Sequence, residues 1–242
     1  WTYFYLYVII DIFSRFVVGW LLARSESASL AEQLISETCA KEAIDRNRLT
    51  IHSDRGAAMT SKTVAQLLAD LAVTRSLSRP HVSNDNPYSE SLFKTLKYRP
   101  AFPNRSASFD DAHVCCTEFF PWYNLEHRHS GIAMLTPAQV HLGQAPRVLE
   151  ERQRVLDSAY AAHPERFVRK PPKVLQLPQS VWINRPATKT TRQDAPETTI
   201  STLVDLGHHP VSPEPATVPV TSPRLWVPSS TTLADQEGRP LH

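Results

Sequence analysis

Two carboxylates stand out by the residues around them. Asp54 follows the short run Ile51-His52-Ser53 and precedes Arg55-Gly56; Glu90 follows Asn84-Asp85-Asn86-Pro87 and leads into Leu92-Phe93-Lys94-Thr95-Leu96-Lys97. An apolar run that stops before a glycine marks the exposed tip of a strand, and an Asn/Asp/Pro turn ahead of an amphipathic pattern marks a helix start. The 35 residues between the two acids hold one helix and one strand, enough for the chain to leave a sheet and return beside its starting point. Acids delivered from a strand tip and a helix can hold divalent cations, as two-metal phosphoryl transfer requires. Glu90, Lys94 and Lys97 fall at i, i+4 and i+7 on one helix face. A phosphate near Glu90 would then meet two ammonium groups, one and two turns along. The plainer reading of the same three residues is a solvated ion-pair face worth about 0.2–0.5 kcal/mol per pair.

The elements that must position these residues are legible in order. Trp1 to Asp11 is rich in aromatic and β-branched residues, with Tyr3, Tyr5 and Tyr7 alternating against Phe4, Leu6 and Val8, and it reads as a strand buried on at least one face. Ser14-Arg15 is too short a connection for a parallel crossover, so Phe16 to Ala23 returns antiparallel. Asp11 is read as a turn residue, bonding turn N–H groups or pairing with Arg15. A helix over 27–43 with Ser27 or Ser29 as its cap precedes the strand Leu49 to Ser53. Another helix, Thr60 to Leu71, turns Val64, Leu67, Leu68 and Leu71 inward and leads to the strand Val73 to Ser78. Helix and strand alternating in this way imply parallel pairing with right-handed crossovers. Arg79 to Tyr88 is a loop, in which His81 is a candidate phosphate contact or a plain surface histidine. A helix is expected from Ser108 to His129 with Ser108 as cap, then a helix starting at Thr136-Pro137 and another over Arg147 to Ala162. On the first of these, His127 and His129 would point to different sides, which argues against a zinc pair.

The motifs His52-Ser53-Asp54-Arg55-Gly56 and Asn84-Asp85-Asn86-Pro87-Tyr88-Ser89-Glu90, followed by Lys94 and Lys97, resemble the integrase-like DDE transposases of bacterial insertion sequences, whose core is shared with retroviral integrases. The later Tyr123-Asn124, Arg128-His129-Ser130 and Thr136-Pro137 are similar to the signature that closes that catalytic domain. The resemblance covers roughly the first 185 residues. It implies an α/β, RNase H-like mixed sheet flanked by helices, and DNA strand cutting and joining supported by Mg2+ or Mn2+. On this resemblance Asp54 and Glu90 are the catalytic, metal-holding acids, and Lys94, Lys97, Arg79, Asn86 and His129 face DNA. The family's first catalytic Asp lies on a strand before the 1–23 hairpin. The third acid and the first strand of the sheet are therefore expected to be absent, and Trp1 in place of Met reads as a fragment. Transposon-end and target DNA are the implied partners, with a homo-oligomer assembled on DNA. The alternatives are an inactive transposase remnant and a non-enzymatic DNA-binding protein.

Composition bounds these readings. With 242 residues and a net charge of +2, the chain is long enough for a sizeable core and only mildly basic overall. Locally, Arg75, Arg79, Lys94, Lys97, Arg99 and Arg105 face only Asp85 and Glu90 in the stretch 75–105, a surface suited to a phosphate backbone. Cys39, Cys115 and Cys116 show no zinc spacing and read as reduced thiols of a cytoplasmic protein, and the resemblance implies association with a bacterial nucleoid. No apolar run is long enough to cross a bilayer. Six glycines and no glycine-rich phosphate loop argue against a nucleotide cofactor. Three regions are expected: the core at 1–145, a helix with a basic extended arm at 146–186, and a disordered tail at 187–242. Nine of the twenty prolines lie from Pro186 onward, which disfavours burial there. Within that tail Leu225-Trp226-Val227 reads as an incidental apolar triplet, with a short docking motif as the alternative.

Overall fold

The computed structural model describes residues 3–45, 47–80, 82, 85–100, 102, 108–183, 225–226 and 231–233. The first strand, β1 (Phe4–Asp11), is covered on both faces. Its alternation sends Tyr7 and Ile9 into one apolar cluster, and Leu6, Val8 and Ile10 into another, as the two-residue period of a strand demands. Strand β2 (Val17–Ala23) returns antiparallel, with a register shift between Ile9 and Ile10. Asp11 caps the turn: its Oδ1 accepts from the Phe13 N–H at 2.9 Å, and Ser14 donates to Oδ2 from both its N–H and its hydroxyl. Arg15 does not pair with Asp11 in these contacts; its guanidinium lies over the Tyr88 ring, 3.9 Å from the centroid.

Helix α1 (Ala28–Lys41) is capped by the Ser27 hydroxyl and buries Leu34 and Ile35 against β1. Strand β3 (Thr50–Ser53) follows, then a short α2 (Ala57–Thr60) and α3 (Lys62–Asp70), capped by Ser61. The helix expected over Thr60 to Leu71 is α3, capped by Ser61 in an extended conformation, and the short α2 ahead of it is an addition that no expectation covered. Val64 and Leu68 are buried, while Leu67 and Leu71 pack at the margin. Strand β4 (Thr74–Leu77) pairs parallel to β3, as the helical crossover between them implies, with Thr50 opposite Thr74.

Helix α4 (Pro87–Lys97) and helix α5 (Phe109–Leu125) cover the opposite face of β1, with Leu92, Leu96, Phe119, Phe120 and Tyr123 forming its core. Helix α5 ends at Leu125, so the expectation of a helix to His129 is corrected. Beyond it the His129 N–H donates to the Leu135 carbonyl at 3.1 Å, closing a tight loop in which Ala133 and Met134 take left-handed backbone angles. Helix α6 (Pro137–His141) starts with a full capping box between Thr136 and Gln139, and α7 (Ala145–Ala162) packs with it through Ile132, Leu135, Val140 and Leu149. Among the described residues no helix is long and apolar enough to cross a membrane.

The result is the expected α/β class, with the mixed sheet in two pieces: β2-β1 extended by short strands, and β3-β4. The extending strands are β5 (Leu225–Trp226) and β6 (Thr231–Leu233), both antiparallel to β1, and β5 also lies close to β3. The remainder of 187–242, where disorder is expected, falls outside the described residues. The Leu225-Trp226 stretch is therefore more than incidental: it supplies backbone partners to an edge of β1 that burial denies to water.

His141 locks three of these elements together. Its Nδ1 sits 3.4 Å from Asp11 Oδ2, its Nε2 sits 3.4 Å from Glu42 Oε2, and its ring stacks on Phe16 at 4.4 Å. Burial alone would lower its pKa, but the hydrogen bonds and charges of Asp11 and Glu42 outweigh that and raise it. A base with a raised folded pKa stabilises fully below the unfolded value, about 6.5, and loses that contribution as pH rises through the folded value. The stability gap between wild type and His141→Gln is thus expected to be full below about pH 6.5 and to shrink as pH rises from there through the folded value. Urea titrations of both proteins across that range check it; a gap independent of pH would remove the ionic part of this lock.

Candidate active site

Asp54 stands just past the end of β3, half-buried, with its Oδ1 accepting the Gly56 N–H at 3.1 Å. This local ring turns the chain from strand into α2. A Cβ placed on Gly56 would lie 3.1 Å from Asp54 Oδ1 and 3.7 Å from Glu26 Oε1. Glu26, in the loop between β2 and α1, is a neighbouring acid that sequence reasoning missed. It lies in no motif, and only the tertiary meeting of that loop with the β3 tip reveals it.

Glu90 lies in the first turn of α4, exposed, with Lys94 and Lys97 exposed in its last turn. Pro87 opens the helix where a missing N–H costs nothing. Leu92 and Leu96 bury the opposite side against Phe119 and its neighbours, and that anchors the face carrying Glu90, Lys94 and Lys97 toward solvent. An acid in the first turn and cations in the last also suit the helix dipole.

The remaining sequence-predicted contacts have other partners. The Arg79 guanidinium is held by the buried Asp85, with Nη2 at 2.9 Å from Oδ1 and Nε at 3.1 Å from Oδ2. Asn86 donates its side-chain N–H to Ser78 Oγ at 2.9 Å, and its Oδ1 is buried with no hydrogen-bond partner. His129 is packed against Tyr123 and His127, its Nε2 buried without a partner. Burial, helped by the neighbouring His127 and Arg15, lowers the His129 pKa to about 4, so the ring is neutral at pH 7. Because the helix has already ended, the His127 and His129 rings meet edge to face at 4.4 Å instead of diverging as a helical spacing would require. His81 lies outside the described residues.

The tip of β3 and the start of α4 are joined by polar contacts. His52 Nε2 is 3.1 Å from the Asp85 carbonyl, and the Ser78 hydroxyl donates to the Ser53 carbonyl at 3.2 Å. The donor type offered by Asp54 and Glu90, carboxylate oxygen, suits a magnesium-class cation. The number is partial: among the described residues no group of three or more His, Cys, Asp or Glu side chains is arranged to hold a metal ion. The three cysteines are free, and burial pushes the Cys116 thiol up to about 12.

Two family descriptions match in succession, both of them the integrase core domain, over residues 1–83 and 71–137. The transposase of insertion sequence element IS904 from Lactococcus lactis is 31% identical over 137 residues, covering 55% of this chain and 53% of that protein. A putative transposase of IS986/IS6110 from Mycobacterium tuberculosis is 27% identical over 127 residues, covering 50% and 45%. The chain thus spans about half the length of the curated relatives it matches. The catalytic core domain of BIV integrase superposes at a TM-score of 0.42 with 18% identity, over 57% of this chain and 86% of that one. Resting on the two consecutive domain matches and the transposase relatives over the same stretch, the chain belongs to the integrase core domain family, with insertion-sequence transposases among its relatives.

Proposed function

We propose that residues 1–145 act in DNA transposition, as part of a catalytic core that cuts DNA strands and joins them to a target with the help of Mg2+ or Mn2+. The observation that carries this reading is the polar tie between the β3 tip and the α4 start, which supports Asp54 and Glu90 serving one site. A bound divalent cation would stabilise the negative charge that develops on a phosphodiester under attack and favour deprotonation of the attacking hydroxyl or water. Asp54 and Glu90 would hold that cation, and the Gly56 N–H keeps the Asp54 carboxylate oriented. Lys94 and Lys97 would grip successive phosphates, fixing the DNA strand along α4. The wider partners of the reading are transposon ends and target DNA, engaged by a multimer.

The direct test is Mn2+ titration of the chain by calorimetry, alongside DNA nicking in Mn2+ and in EDTA. Binding in wild type that is lost in both Asp54→Asn and Glu90→Gln is the expected result. Binding unaffected by either change sinks the two-acid site. DNA binding that survives both changes with no nicking would favour the non-enzymatic alternative, to which the incomplete acid set lends weight.

Gly56→Ala is a finer probe of the same site. Its backbone, at φ −54° and ψ 149°, admits alanine freely, and losing glycine's unfolded-state freedom is worth about 0.4–1 kcal/mol in favour of the fold. The added methyl would nonetheless sit 3.1 Å from Asp54 Oδ1 and displace that carboxylate by a few tenths of an ångström. Thermal melts unchanged or slightly raised, together with several-fold weaker Mn2+ binding, are expected. Equal Mn2+ affinity would mean that the orientation of Asp54 does not matter.

A further inference from the structure

The loop between β4 and α4 contains one fully buried acid that cation holding does not use. The Asp85 carboxylate, 1% exposed, accepts three hydrogen bonds from a single residue: the Arg79 main-chain N–H at 2.7 Å, Nε at 3.1 Å and Nη2 at 2.9 Å. Its main-chain carbonyl faces His52 Nε2 at 3.1 Å. A carbonyl only accepts, so Nε2 carries the imidazole proton, and Nδ1 accepts from the Ser76 hydroxyl at 2.9 Å. Next to Asp85, Asn86 reaches Ser78, while the Arg55 Nε donates to the Ser78 carbonyl at 2.9 Å. Three residues flanking Asp54, namely His52, Ser53 and Arg55, therefore all grip Ser78 or the loop that leads into α4.

Apolar packing does not supply this link. Ile51 of β3 belongs to the cluster on one face of β1, with Leu34, Ile35 and Leu68. Leu92 and Leu96 of α4 belong to the cluster on the other face, with Phe119 and Phe120. Each acid is thus anchored in a different core, and small independent movements of the two layers would change the spacing between them. A two-carboxylate cation site tolerates little such movement.

We propose that Asp85 is a positioning residue: gripped by Arg79 and receiving His52, it holds the start of α4, and with it Glu90, in fixed relation to the β3 tip that carries Asp54. The role rests on the reading of Asp54 and Glu90 as a cation-holding pair. It acts as outer-shell partners of metal ligands do, through geometry instead of contact.

The test pairs two measurements on the full chain by NMR, for wild type, Asp85→Ala, Asp85→Asn and Glu90→Gln. Residual dipolar couplings report the orientation of α4 relative to β3 with no metal present. Mn2+ titration reports affinity, and its paramagnetic broadening shows which amides the ion approaches. In both Asp85 variants the α4 couplings are expected to shift or average while those of α5 keep their values. Mn2+ affinity should fall about tenfold to a hundredfold, with broadening retained at Arg55 and Gly56 and lost around Glu90. Asp85→Asn keeps the volume and one acceptor, so it serves if Asp85→Ala does not fold. Couplings identical to wild type overturn the proposal whatever the metal does. Altered couplings with unchanged Mn2+ affinity reduce Asp85 to a loop-stabilising residue and overturn it too. Wild-type broadening absent, or insensitive to Glu90→Gln, is a separate failure: it overturns the two-acid reading and the positioning role with it.

Discussion

On the proposed two-acid reading, Glu90→Gln is expected to leave the fold standing and to lower cation-dependent DNA strand cleavage by about three orders of magnitude or more, equivalent to at least ~4 kcal/mol of transition-state stabilisation. The two halves of that expectation have different physical sources. Glu90 is exposed in the first turn of α4, and the helix is held from its other side by Leu92 and Leu96. Removing the charge forfeits only its interaction with the helix N-terminus, about 0.3–1 kcal/mol. Glutamine keeps the size and polarity of the side chain but is a poor ligand for a hard cation, so the loss falls on binding and chemistry. Lys94→Ala and Lys97→Ala should behave differently. Each is expected to weaken DNA binding uniformly across sequences and to reduce the slope of log K against log salt by about 0.9. Parallel melts, Mn2+ titrations and nicking assays separate the two patterns. A Glu90→Gln protein that cleaves at the wild-type rate would remove α4 from the chemistry altogether.

Local signals were read well because each involves residues a few positions apart. The caps Ser27, Ser61, Ser108 and Thr136 all accept from helix N–H groups as their side chains and spacing predict. The period-two pattern of β1 gives its two-faced burial, and the 3.6-residue pattern of α4 gives the shared face of Glu90, Lys94 and Lys97. What escaped follows no helical or strand period. The end of α5 is fixed by the bond from His129 to Leu135, which no periodicity announces. Arg79 and Asn86 have the composition of DNA contacts, and only the fold of the 78–86 loop shows that their donors go to Asp85 and Ser78. The proximity of Glu26 to Asp54 arises in the same way, from two loops meeting at one end of the strand layer.

Asn124 is the sharpest case, since its motif was visible and its work was not. Its side-chain oxygen accepts the Val17 N–H at 2.9 Å, and its amide nitrogen donates to the Val17 carbonyl at 2.9 Å. A residue of α5 thus plays the part of a neighbouring strand for the first residue of β2, next to the register shift in the hairpin. Val17 is buried, so neither backbone group has water as a substitute. Asn124→Ala strands both groups, at about 1–3 kcal/mol each, a large part of the 5–15 kcal/mol that typically holds a domain together. A fall in Tm of roughly 10 °C is expected for a chain of this size. Asn124→Leu restores most of the lost volume and should be nearly as unstable, because the defect is unsatisfied polarity and not a cavity. Asn124→Asp separates the two bonds. At neutral pH the carboxylate still accepts from the Val17 N–H but faces the Val17 carbonyl with no proton to offer. On acidification the protonated carboxyl can donate, so this variant should regain stability relative to Asn124→Leu as pH falls through its carboxyl pKa. Denaturant titrations at several pH values give the answer. If Asn124→Leu matched the wild type, the hairpin would owe nothing to the amide, and the Tyr123-Asn124 pair would need an explanation other than the anchoring of β2.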